Sequence, residues 1–112
     1  MKPPRLNRKL TLQEAQRSAD GAGGFALVWV DLGSIWAAIS AGTGRERAGE
    51  SLTVSTVPYR ITVRGAPEGA PTRPKPEQRF VEGGRVFLIT AVAEADPDGH
   101  YLTCFANEEV LS

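Results

Sequence analysis

One cysteine, one histidine and no long apolar run leave this 112-residue chain few routes to covalent bracing or chemistry. Cys104 has no partner within the chain for a disulfide. Its place in the alternating segment Tyr101 to Ala106 suits a buried thiol that acts as a small hydrophobe, and this points to assembly in a reducing interior. A lone His100 beside a lone Cys cannot supply the tetrahedral nitrogen and sulfur set of a structural zinc site. Nucleophilic catalysis needs a base beside the nucleophile and a group orienting that base. His100 instead follows Asp96, Pro97, Asp98 and Gly99 and reads as a solvated turn residue. The same aspartates open like a calcium loop, but the glycine comes too early and no glutamate closes the loop. Gly42, Thr43 and Gly44 begin like a dinucleotide fingerprint, yet Arg47 stands at the third glycine position and no phosphate-binding lysine follows. The reading is a non-enzymatic protein without cofactor or metal.

Net charge is absent as well, with 13 basic residues against 13 acidic ones. No global field therefore draws the chain to nucleic acid or to an anionic membrane. No segment approaches the length of a membrane span, and the basic start continues into Thr11, Gln13, Glu14 and Gln16 without an apolar leader. The expectation is a soluble protein with no membrane partner. The charge is unevenly spread, however. Lys2, Arg5, Arg8 and Lys9 open the chain, whereas Glu94, Asp96, Asp98, Glu108 and Glu109 close it. Opposite charge at two surfaces can fix register in a stacked assembly, or the termini can pair within one monomer.

What is present is β-forming and turn-rich. Twelve glycines and eight prolines with 41% hydrophobic residues suit one all-β domain with long loops. Residues Met1 to Arg5 read as a mobile arm. Leu6 to Leu12 alternates as a first strand, and Glu14 to Gly24 mixes helix formers, which allow a short helical turn, with the run Asp20 to Gly24, read as a flexible turn into the next strand. Phe25 to Asp31 and Ile35 to Ser40 read as two core strands. Val57 to Arg64 is the clearest half-exposed strand, with Tyr59, Ile61 and Val63 opposite Arg60, Thr62 and Arg64. Pro58 places its start at an edge or bulge. Gly65 to Pro76, with four prolines, reads as an extended surface connection. Arg79 to Val81 and Arg85 to Ala93 flank a Glu82-Gly83-Gly84 hairpin, and Asp96 to Gly99 turns the chain into Tyr101 to Ala106. The sum is a small antiparallel β-barrel or sandwich of about six or seven strands.

Between the second and third core segments lies a polar insert, Gly42 to Ser55, with Arg45, Glu46, Arg47 and Glu50 and no large apolar residue before Leu52. Such a loop on a rigid scaffold is where function is expected. The aromatic residues fall mostly in apolar alternation and are expected in the core. The alternative is a nucleic-acid-binding barrel that uses exposed aromatics with Arg60 and Arg64.

The ordered features resemble the phage head-closure proteins, also called head-tail joining or stopper proteins, with relatives in gene transfer agents. The similarity rests on Leu6-x-x-x-Leu10-x-Leu12-Gln13, a glycine-containing loop before Trp29, Ile35-Trp36-Ala37-x-Ile39 and Gly44-x-Glu46. It continues through Tyr59-Arg60-Ile61-Thr62-Val63-Arg64, Arg79-Phe80-x-x-Gly83-Gly84-Arg85-Val86-Phe87-x-Ile89 and a terminal Leu102-x-Cys104. The proline-rich connection is longer than in many relatives. The resemblance implies a homo-oligomeric ring, a hexamer or a ring of twelve-fold origin, in the neck of a virion or phage-like particle assembled in the host cytoplasm. Its implied partners are an adaptor or portal-side protein above, a tail terminator or tail tube protein below, and packaged double-stranded DNA in the channel. The insert then maps to the channel loop, with Gly42, Thr43, Gly44, Arg45, Glu46, Arg47 and Glu50 as plug residues. Candidate ring contacts are Lys2, Arg5, Arg60, Arg64, Arg73, Lys75, Glu108 and Glu109. A tail-completion or tail-terminator protein of the same assembly is the neighbouring alternative.

Overall fold

Alternation of apolar and polar residues dominates the chain, and in the computed structural model, which describes residues 3–42 and 56–109, it builds strands only. These are β1 (Arg8–Ala19), β2 (Phe25–Ala41), β3 (Thr56–Arg64), β4 (Arg79–Glu82), β5 (Arg85–Glu94) and β6 (Tyr101–Glu109). All pair antiparallel in the closed order β1-β2-β3-β6-β5-β4. Closure rests on a short seam between β1 and β4, of three pairs: Thr11 with Val81, Leu12 with Phe80, and Gln13 with Arg79. The expected all-β fold of six or seven strands is thus borne out with six.

Inward-facing positions fill the barrel. Leu10 and Leu12 of β1, Ile61 and Val63 of β3, Phe80 of β4, Phe87 and Ile89 of β5 and Leu102 and Cys104 of β6 are all at most 1% exposed. Burial pushes the Cys104 thiol up to about 12, so it stays a neutral hydrophobe.

Two of the expectations change. Phe25 to Asp31 and Ile35 to Ser40 are not separate strands but parts of the single 17-residue β2. A bulge joins them. Leu12 pairs Gly33 while Gln13 pairs Asp31, which leaves Leu32 as the extra residue on β2. One extra residue flips every side chain beyond it to the opposite face. Ile35, Ala37 and Ile39 therefore face the core, and Phe25, Leu27 and Trp29, in the same odd-numbered phase, face outward. Glu14 to Ala19, whose helix formers allow a short helical turn, instead extends β1 and pairs with β2 as far as Ala19 opposite Phe25.

Beyond Gln13, β1 has no partner but β2, and β2 meets β3 only from Ala37 onward. Residues 14–30 consequently leave the barrel as a two-stranded arm. Its tip is pinned by the Asp20 carboxylate, which accepts from the backbone N–H groups of Ala22 and Gly24 at 2.8 and 3.0 Å. A second bulge at Thr90 shifts β5 between Ile89 and Ala91, so that Val92 resumes the inward phase.

The proline-rich connection is more ordered than an extended linker. It carries turns, buries Pro74, and ends on Gln78, which is 4% exposed. Gln78 accepts from the Lys75 N–H and donates to Glu14, while its carbonyl accepts from Ile89 N–H at 2.9 Å. Residues Pro3 to Asn7 pass over the outside of the barrel, with Leu6 in one groove beside Trp36 and Arg64 and Pro3 in another beside Tyr101.

Gly33 sits at the bulge with φ 143°, a conformation that strains any residue carrying a Cβ. A Cβ there would meet no atom within 4 Å, so the cost of a side chain is backbone strain alone. Gly33→Ala is expected to lower unfolding stability by about 1–3 kcal/mol. Denaturant titration checks this, and a stability equal to wild type would mean that the bulge tolerates a side chain.

Candidate functional site

The inward phase of the barrel does not stop at its apolar core. One layer farther, at the end where the Gly42 insert leaves β2, stand Arg8, Tyr59, Glu82, Arg85 and Glu108. Each lies two residues from a core residue of its own strand: Leu10, Ile61, Phe80, Phe87 and Ala106. They close the mouth of the barrel with charge. Arg85 donates from Nε to Glu108 Oε2 at 2.7 Å and from Nη2 to Oε1 at 3.1 Å, and from Nη2 to the Tyr59 hydroxyl at 3.4 Å. Its Nη1 lies 3.9 Å from Glu82. Arg8 in turn donates from Nε to Glu82 at 2.8 Å and makes a second bond from Nη2 to the same carboxylate. Beneath this layer Tyr59 meets Phe87 edge-to-face, with ring centroids 5.4 Å apart. The chain of pairs links β1, β4, β5 and β6, and so bridges the narrow seam.

The guanidinium of Arg85 holds the Glu108 carboxyl below its usual range, and Arg8 does the same for Glu82. Conversely, Glu82 raises Arg8 and Glu108 raises Arg85. Partly enclosed, bidentate pairs of this kind are stronger than surface ion pairs.

This layer stands beside the base of the insert. Ala41 pairs Tyr59, and Gly42 N–H donates to the Pro58 carbonyl at 2.8 Å. Pro58 has no N–H to return, which ends the ladder there and releases the chain into the insert. The expected plug residues Thr43, Gly44, Arg45, Glu46, Arg47 and Glu50 lie outside the described residues, as does Lys2. Only Gly42 of that group is placed.

The remaining candidate contacts are scattered. Arg60 and Arg64 are exposed on the outer face of β3, and Arg5 and Glu109 are exposed near the ends of the chain. Lys75 is exposed and reaches Glu14 at 4.0 Å. Two of the candidates are engaged within the chain. Glu108 is turned inward and its carboxylate is taken by Arg85, because it continues the inward phase of β6 past Ala106. Arg73 braces the proline-rich connection, donating to the Ala66 carbonyl at 2.8 Å. Asp96 and His100 form a turn, as expected. The Asp96 carboxylate accepts from the N–H groups of Asp98, His100 and Tyr101.

Sequence reasoning missed the exposed apolar residues. Phe80 and Phe87 are core, but Phe25 is 63% exposed, Leu27 66%, Trp36 55% and Phe105 39%. The run Phe25 to Asp31, read as core, becomes the arm because of the bulge. The signal available was the phase: Phe25, Leu27 and Trp29 share odd numbering with Ile35, Ala37 and Ile39, and Gly33 interrupts them.

A family model described as phage head completion protein matches residues 1–109. The chain belongs to that family. Among solved structures, a chain in the virion of a native gene transfer agent (GTA) particle is 60% identical, with 98% of this chain and 100% of that one covered and a TM-score of 0.83. Protein SF1141 from Shigella flexneri 2a, solved in solution, is 23% identical over 100% of both chains with a TM-score of 0.69, a likeness that shows the fold alone. No curated protein matches. The family agrees with the resemblance in the sequence, and both the barrel and the arm fall within the matched residues.

The paired mouth layer has a pH consequence. A carboxylate with a depressed folded pKa adds stability that is complete above its unfolded value of about 4.3 and is lost as the pH falls through the folded value. Glu108→Gln is expected to cost about 1–2 kcal/mol at neutral pH and to flatten the fall in melting temperature on acidification. Thermal melts across that acid range check both effects, and an acid profile as steep as wild type would remove Glu108 from the account.

Proposed function

We propose that this chain is a non-enzymatic head-tail connector that forms a ring in the neck of a phage-like particle, below the portal and its adaptor. The ring holds packaged double-stranded DNA and offers the tail a docking surface. The observation that carries this reading is membership of the phage head completion family, together with 60% identity to a GTA virion chain over nearly the whole length.

The barrel supplies a stiff frame for such a role. Its mouth is fastened by the Arg8–Glu82 and Arg85–Glu108 pairs, and the Gly42 to Thr56 connection starts and ends at that mouth. The intervening sequence carries Arg45 and Arg47 for phosphate and Glu46 and Glu50 for neighbouring arginines. Copies around an axis multiply weak contacts of this kind. Closing and opening the channel then requires movement of backbone and no covalent step.

The test is a deletion of Gly44 to Gly49. Particles are expected to incorporate the shortened chain at the neck, while filled heads lose their DNA; nuclease protection and imaging of the same particles read both properties. Heads that stay full with the shortened chain in place would refute the retention role, and particles that lack the chain at the neck would refute the connector.

A further inference from the structure

The open edge of β2 is a row of unused backbone groups. Along the arm, β2 has β1 on one side and no strand on the other, because β3 joins it only at Ala37. At the tip the Asp20 N–H donates to the Gly24 carbonyl at 3.1 Å. In the alternation of an antiparallel ladder the pairs Ser18–Ala26, Gln16–Val28 and Glu14–Val30 then exchange backbone bonds with each other. Phe25, Leu27 and Trp29 therefore direct N–H and C=O to the open side. Among the described residues no backbone group bonds them there.

Such an edge fits one kind of ligand, an extended strand whose own N–H and C=O groups continue the ladder. Side chains decide which strand. Phe25, Leu27 and Trp29 stand on one face of the arm, and Ala26, Val28 and Val30 on the other. Phe25 and Leu27 are more than half exposed and Val28 is 46% exposed, so apolar surface is open on both faces at once. A run apolar on both faces belongs inside a sheet with neighbours, and this one has a neighbour on one edge alone.

The first face also carries charge. Arg17 lies over the Phe25 ring at 4.5 Å and Arg79 over the Trp29 ring at 4.0 Å. Neither guanidinium has an ion-pair partner among the described residues. Phe25 and Trp29 stand about 13 Å apart along the strand, at about 3.3 Å per residue, with Leu27 between them. On a strand laid against this edge, the residues opposite Phe25 and Trp29 sit beside the two guanidiniums. The three residues between them meet Ala26, Leu27 and Val28. Arginine selects a carboxylate at each end, and the aliphatic surface selects apolar residues in the middle.

The geometry points to the β2 edge as the docking site for an extended segment of a neighbouring particle protein, in which an acidic residue stands at each end of three consecutive apolar residues. The pattern reads alike in both directions, so parallel and antiparallel addition both satisfy it. A second copy of this chain does not supply it. The acidic pairs at that spacing, Glu46 with Glu50 and Glu94 with Asp98, enclose no run of three apolar residues. This rests on the connector reading and names the chemistry of one partner.

Amide exchange, read residue by residue in the isolated chain and in assembled particles, tests the edge directly. In the isolated chain the Leu27 and Trp29 N–H groups are expected to exchange freely, and in particles to slow by about tenfold or more. Leu27→Pro removes a donor aimed away from β1, a change that an edge strand accommodates, and is expected to abolish incorporation at the neck, whereas Leu27→Ala keeps the donor and is incorporated. Arg17→Glu is expected to lower incorporation. Free exchange at Leu27 in particles that hold the chain would overturn the proposal and leave the connector standing, as would normal incorporation of a folded Leu27→Pro chain. Full incorporation of Arg17→Glu would overturn the acidic chemistry of the segment. Protection of Leu27 in the isolated chain that grows with its concentration would mean that arms pair with arms and would also overturn the proposal. Wild-type particles without the chain at the neck would overturn both readings.

Discussion

A single extra residue in β2 decides the shape of this molecule. From Phe25 to Ile39 the odd-numbered positions are mostly apolar, and an unbroken strand would point all of them at one core. Leu32 interrupts the phase, with Gly33 at φ 143° absorbing the bend. The upstream half of the strand is thereby turned outward, and the downstream half builds the barrel. Barrel and arm are one strand with two faces exchanged. Without the bulge, Trp29 and Leu27 would compete for an interior that Leu10, Phe80 and Phe87 already fill.

A barrel this small has room for about one column of side chains per strand, so its interior must end as abruptly as it begins. At the insert end it ends in charge. The inward positions of five strands pass from apolar residues to Arg8, Tyr59, Glu82, Arg85 and Glu108 within one step of the pleat. Each charge there is paired, as the low dielectric of a half-enclosed site demands. The seam between β1 and β4 offers only three backbone pairs, and Arg8 with Glu82 adds a side-chain bridge across it. At the other end the chain uses backbone contacts. Gly65 N–H donates to the His100 carbonyl at 2.7 Å, and a Cβ on Gly65 would collide with the Gly99 carbonyl oxygen.

Much of the fold was legible because alternation is a local signal. The strands over Val57 to Arg64, Arg85 to Ala93 and Tyr101 to Ala106 follow from period-two patterning, as do both glycine-bearing hairpins. The arm was not legible, since a run such as Phe25 to Asp31 reads as core unless the bulge is known, and a bulge is set by pairing with a distant strand. The pairing of Glu108 was not legible for a related reason. A charged residue near a terminus looks solvated in sequence, but its parity with Cys104 and Ala106 carries it inward, toward an arginine 23 positions away. The family was recognisable from the order of weak motifs. The exposed apolar residues were not, because Phe25 and Leu27 look in sequence like residues bound for a core.

That ambiguity has a thermodynamic side. Toward its tip, where Phe25, Leu27 and Val28 are exposed, the arm is held mainly by β1 to β2 pairing, whereas Glu14 and Trp29 at its base also meet Gln78 and Arg79. Apolar surface left in water during assembly is a liability for any chain that must stay dissolved before it is used. Here the arm limits that exposure by stacking Arg17 on Phe25 and Arg79 on Trp29, which covers the rings with cationic groups that remain hydrated. Such stacking is worth on the order of 1 kcal/mol per pair at exposed sites, enough to mask a ring and too little to hold it against a better partner. The barrel, closed by six paired strands, and the tip of the arm, held by one strand pair, therefore differ in local support.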